Sequence, residues 1–184
     1  MSFLLNPAAF AAQYTLDTDH TVVSFKIRHI FTFVHGAFKA FEGSFVYDPA
    51  SPETWKADAV IQVASIDTGV EPRDNDLRSP NFFEVEKFPT MTFKSTGVTE
   101  VTSTSAKLHG LLKIRDVEKP VVLDLQILGE AKDPWGNESA GFSATTRINR
   151  KDFGLTWNKV LETGQLLVGE EVEITIEVTG LRQA

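Results

Sequence analysis

The sequence predicts an all-β chain, an antiparallel sheet curled on itself or folded into a sandwich, and three observations carry that reading. Apolar and polar residues alternate with period two along most of the chain, which gives each strand one dry and one wet face. No long helical pattern lies between these runs, so parallel α/β folds are disfavoured. Turn-forming clusters separate them, among them Asp116 to Lys119 and Asp133-Pro134-Trp135-Gly136-Asn137.

In chain order, Met1 to Ala12 is mildly apolar, carries no Lys or Arg and is interrupted by Pro7. It is read as part of a short leader over residues 1–13 that packs on the rim, with cleavable export disfavoured. The domain proper is then 14–184. Val23, Phe25 and Ile27 alternate with Ser24, Lys26 and Arg28 in a first strand. The rhythm breaks over His29 to His35. From Gly36 to Tyr47 the spacing of Phe38, Phe41 and Phe45 slips from even to odd, which predicts a β-bulge near Lys39 and Ala40.

Ala59, Ile61 and Val63 mark the next strand. Glu71 to Phe83 breaks the rhythm again and reads as a short helix, with acidic residues before Leu77 and a stop at Pro80. Strands follow at Met91 and Phe93, at Leu108, Leu112 and Ile114, at Leu123, Leu125 and Ile127, and at Phe142, Ala144 and Ile148. The clearest is the last, where Val172, Ile174, Ile176 and Val178 interleave with Glu171, Glu173, Thr175, Glu177 and Thr179. The count is about eight half-wet strands, and the two interruptions are placed as caps of a barrel mouth.

Composition narrows the function. A chain of 184 residues is one domain with room for a full core. The net charge of -7 offers no basic field for nucleic acid or an anionic membrane. With no cysteine, disulfides, thiolate metal sites and cysteine nucleophiles are excluded. The apolar runs fall far short of the about 20 residues of a membrane-spanning helix, so the expected compartment is the cytoplasm, or the periplasm or exterior if the native N-terminus differs. The aromatic usage, 14 Phe against 2 Tyr and 3 Trp, suits a wall facing hydrocarbon, because Phe brings area without a polar group to satisfy.

Several motifs are weighed and set aside. Asp67-Thr68-Gly69 after an apolar strand, with Ile127-Leu128-Gly129 downstream, looks like an aspartic protease half-site. Such a site needs a second carboxylate and a glycine-rich flap, and no flap lies between them, so Asp67 is expected to make an Asx-type turn bond. Arg73-Asp74-Asn75-Asp76-Leu77-Arg78-Ser79 is charge-dense but lacks the oxygen donors and glycine of a calcium loop. It is read as a structural ion-pair cap, with the alternative that Arg73 and Arg78 face the mouth and meet a ligand's polar head. His20, His29, His35 and His109 lack metal-ligand spacing, and no metal site is expected. Neither G-x-S-x-G nor a phosphate loop is present.

The ordered set of segments resembles the YceI-like family from about Tyr14 to the end. Leu16-Asp17-Thr18-Asp19-His20-Thr21 resembles its L-D-x-x-H-S/T opening, and Phe25-Lys26-Ile27-Arg28-His29 its F-x-V-R-H segment. Gly36-Ala37-Phe38, Phe41-Glu42-Gly43 and Ser65 to Gly69 follow in family order. Arg73 to Phe83 resembles the R-D-x-H-L-R-S-x-D-F-F signature, with Asp76 in place of the usual His and Asn81 in place of the usual Asp. Phe88-Pro89, Thr92 to Thr96, Lys119-Pro120-Val121, Asp133 to Gly136 and Arg150 to Leu155 complete the set.

The resemblance implies an extended eight-stranded antiparallel barrel, similar to lipocalins, with short capping helices and an apolar tunnel for a polyisoprenoid or quinone-like lipid. It implies a bacterial binding protein for storage or transport, without a catalytic residue or a further cofactor, and leaves homodimers open. On this reading Phe25, Ile27, Phe38, Phe41, Phe45, Met91, Phe93, Leu112, Ile114, Phe142 and Trp157 line the tunnel, and Phe82 and Phe83 gate it. Two alternatives stand beside it: an enzyme at the mouth using Asp74 or Asp76 as general base, and a structural barrel with a filled core.

Overall fold

The computed structural model describes residues 11–184. The expected leader therefore lies mostly outside the described residues, and its last two positions, Ala12 and Gln13, are already strand. The elements are β1 (Ala12–Leu16), β2 (Val22–His29), β3 (Thr32–Phe38), β4 (Phe41–Tyr47), β5 (Lys56–Gln62), β6 (Ile66–Asp67), α1 (Glu71–Arg78), β7 (Thr90–Thr99), β8 (Ser105–Ile114), β9 (Val117–Lys132), β10 (Glu138–Asn149) and β11 (Val168–Arg182). β1 with β2, β3 with β4 and β5 with β6 each act as one broken stave, leaving eight. Every stave is antiparallel to its neighbours, and β1 pairs with both β4 and β11, which closes the barrel. No helix among the described residues is long and apolar enough to cross a membrane.

Alternation explains the closure. Val172, Ile174 and Ile176 on β11 stand opposite Ile148, Thr146 and Ala144 on β10, and opposite Ile27, Phe25 and Val23 on β2. Antiparallel partners in register share a face, so these rows continue around the interior. The glutamates between them face water, where Glu173 pairs with Lys26 at 2.9 Å.

The breaks are stitched by short side chains. At Asp17 to Thr21 the Thr21 hydroxyl donates to the Thr179 carbonyl and accepts from its N–H, both at 3.1 Å, replacing the missing backbone ladder. At Lys39 and Ala40 the expected bulge is instead a gap between two strands. The chain changes partners there, and both N–H groups donate to Ser65 Oγ, at 3.1 and 3.0 Å. The segment His29 to His35 is not a cap either. It is the hairpin of β2 and β3, turned at Ile30 with φ 50°. The turn expected over Asp116 to Lys119 lies one step earlier, at Arg115 with φ 54°, and Val117 already pairs with Ile114.

The two ends of the barrel differ. One carries α1, the β2–β3 and β8–β9 turns and the long β10–β11 connection; the other carries the remaining turns. At the second end Tyr14, Phe45, Phe142, Tyr47 and Trp55 form a chain of ring contacts with centroids 4.8–5.4 Å apart. Burial and a 2.7 Å bond to Glu130 push the Tyr14 hydroxyl well above the usual phenol range, which keeps this plug neutral.

Candidate functional site

Between the aromatic plug and α1 the barrel encloses a cavity of about 570 Å³, within the span of roughly 300–1,000 Å³ typical of small-molecule pockets. Its wall includes every residue expected to line a tunnel: Phe25, Ile27, Phe38, Phe41, Phe45, Met91, Phe93, Leu112, Ile114, Phe142 and Trp157, with Phe82 and Phe83 above them. Phe25 and Phe93 lie flat because their neighbours have no Cβ. A methyl on Gly36 would strike the Phe25 ring, and one on Gly110 would strike Phe93 and come within 2.8 Å of the Lys94 carbonyl. Glycine within a strand often marks this kind of close approach.

The α1 segment closes one end without an apolar helix face, held instead by polar clamps. Buried Asp74 accepts from the Thr68 N–H at 2.9 Å and its hydroxyl at 2.5 Å. Arg73 lines the cavity while its Nε and Nη2 donate to Thr68 Oγ1 and O. Arg78 is drawn the other way, donating to the Ala64 and Ile66 carbonyls at 2.8 and 3.0 Å, and it stands outside the cavity wall. Asp67 makes the expected Asx bond, accepting from Gly69 N–H at 2.8 Å. The two departures from the family signature meet one another, Asn81 Nδ2 donating to Asp76 Oδ1 at 3.0 Å. Beyond α1, Phe83 packs edge-on against Phe38 and Phe82 tilts on Trp157, with centroids 6.0 and 5.4 Å apart.

A family model described as YceI-like domain matches residues 14–180. The chain belongs to the YceI-like family. A curated relative, the UPF0312 protein of Ectopseudomonas mendocina strain ymp, is 39% identical over 99% of this chain and 94% of its own length. Among solved structures, Burkholderia cenocepacia BcnA has this fold at 22% identity, TM-score 0.78, over 89% of this chain and 98% of its own. A polyisoprenoid binding domain from Saccharophagus degradans, implicated in plant cell wall breakdown, has it at 15% identity, TM-score 0.68, over 92% of this chain and 98% of its own.

The YceI-like barrel has further wall residues that the sequence reading did not name. Leu16, Tyr47, Trp55, Leu77, Leu108, Leu123 and the inward row of β11 all face the cavity. Alternation had placed most of them on dry faces, but the phenylalanine count drew attention elsewhere. Arg150 was also missed as a wall residue. It sits in the short turn after β10, where nothing in the local pattern marks it as inward. Among the described residues no group of His, Asp and Glu could hold a metal ion.

Proposed function

We propose that this chain binds one slender lipid, of the polyisoprenoid or quinone-tail class, inside the barrel, and serves its storage or transport without acting on it. The observation that carries the reading is the cavity itself: about 570 Å³ enclosed by the barrel and walled almost throughout by hydrocarbon side chains. Transfer of a chain into such a slot contributes about 0.8 kcal/mol per buried CH₂, offset in part by ordering of the chain. Selection then follows tail length and girth more than polar chemistry. The likeness to a fold whose Saccharophagus degradans example is named for polyisoprenoid binding supports the ligand class. On this reading Phe82 and Phe83 are the gate, since they cover the cavity from a segment outside the barrel ladder.

The test is organic extraction and native mass spectrometry of purified protein, followed by reloading with a polyprenol. Wild type is expected to carry or take up one lipid per chain. Phe142→Arg and Phe93→Arg place a charge in the wall, and the variant that keeps its β-type spectrum is expected to retain none. Wild-type retention in a folded variant would overturn the assignment of the cavity.

A further inference from the structure

We infer that Arg150 anchors an anionic head group, a carboxylate or a phosphate, at the α1 end of the cavity. The inference rests on the lipid-binding reading and adds to it the chemistry of the lipid's polar end.

Arg150 is 2% exposed and belongs to the cavity wall. Its Nε donates to the Gly169 carbonyl at 2.7 Å, and its Nη1 to the carbonyls of Leu155 and Trp157 at 2.7 and 2.9 Å. The third nitrogen, Nη2, is buried and has no hydrogen-bond partner among the described residues. No carboxylate there forms an ion pair with it. Glu170 acts on it only through space and is itself bound by Lys151 at 2.6 Å.

A guanidinium does not lose its proton in a protein, so this is a buried charge compensated by carbonyl dipoles and, through space, by Glu170. Leaving a buried cation without an anion is costly. A two-oxygen anion that displaced the packing over Nη2 would supply the missing acceptor and a contact charge where Glu170 acts only through space. Arg73, the other arginine of the wall, already has two of its nitrogens bonded to Thr68. The wall beyond Arg150 toward the plug is hydrocarbon, through Ile148, Leu112, Phe93 and Phe142. An amphiphile with its head at Arg150 would thread its tail along that wall. A purely structural arginine, stapling the β10–β11 connection, is the rival explanation.

The two are separated by one tail with three heads. Delipidated wild-type protein is titrated with geranylgeranyl phosphate, geranylgeranoic acid and geranylgeraniol. The proposal expects at least one anion to bind about tenfold or more tighter than the alcohol, the scale of one charge-assisted hydrogen bond. Comparison of phosphate with carboxylate identifies the head. In Arg150→Gln, which keeps amide donors for the carbonyls, that ratio falls to near one. Should Arg150→Gln fail to fold, arginine side-chain NMR of wild type decides, because the Arg150 Nη resonances must shift with the favoured anion and stay with the alcohol. Equal affinity for all three heads would overturn the anchor and leave the lipid reading standing. Binding of none would overturn both.

Discussion

His20 and Asp17 meet where β1 gives way to β2, the imidazole Nδ1 2.7 Å from the carboxylate. The bond holds the Asp17 carboxyl below its usual range and the His20 imidazole above its own. The raised histidine favours the folded state below its ordinary pKa and loses that effect as pH rises through the raised value. The lowered aspartate favours it above the ordinary carboxylate value and loses that effect as pH falls through the lowered one. Full pairing is therefore confined to roughly pH 4 to 6.5 and fades on either side. The His20 ring is solvent-exposed, so the measurement is an NMR titration rather than a melt. His20 is expected to titrate above the free-histidine value and to return to it in Asp17→Asn; an unshifted wild-type His20 would exclude the pair in solution. At this scale the sequence showed the family opening that contains Asp17 and His20 but not why they share it. The reason is a turn that brings the fourth and fifth residues back onto the first, with the His20 and Thr21 N–H groups on the Asp17 carbonyl at 3.3 and 2.8 Å. Arg150 was equally silent, since burial of a charged side chain depends on distant carbonyls.

α1 is held by single side chains, so its stability should be separable from that of the barrel. Removing the carboxylate in Asp74→Ala strands the Thr68 N–H and hydroxyl in a partly buried place. Loss of a buried acceptor costs about 1–3 kcal/mol. The expected outcome is a lower urea midpoint with slope retained, faster amide exchange across residues 68–78, and faster release of bound lipid because Phe82 and Phe83 hang on this segment. An unchanged release rate would show that the gate lies elsewhere. The helix itself was legible: acidic residues open it, Pro72 stands in its first turn, and it ends at Arg78 ahead of Pro80. The β2–β3 hairpin was not, because hairpin turns of this kind favour Gly, Asn or Asp and this one uses Ile30 with φ 50°. A β-branched residue there is rare, so the turn is imposed by the register on both sides, with Ile30 N–H also tied to the Leu167 carbonyl at 3.1 Å.

For the molecule as a whole, alternation could give half-wet antiparallel strands but not choose between a sandwich and a barrel, because both bury one face of each strand. The choice is made by β1, a short stretch hidden in an apolar opening, which bonds to β4 on one side and β11 on the other. Ordered family motifs reached the barrel before its geometry did, since they register a whole chain rather than a local pattern. Whether the interior holds side chains or a ligand was beyond the pattern, which marks a residue as inward without saying how far it reaches. Glycines on the inner face, such as Gly110 against Phe93, leave the rings flat and the centre open. A barrel with such a space is stabilised by its ligand through mass action, because the unfolded chain has no cavity. At a hundredfold excess over Kd that term is about 2.7 kcal/mol, and in a chain of this length each kcal/mol moves Tm by about 2–4 °C. Delipidated protein is therefore expected to melt roughly 5–10 °C below the loaded form. Readdition of the extracted lipid should restore Tm in proportion to the logarithm of its free concentration. An extracted protein that melts with the loaded one, at equal β-type spectrum, would mean that the interior is stable empty and that the lipid sits outside it.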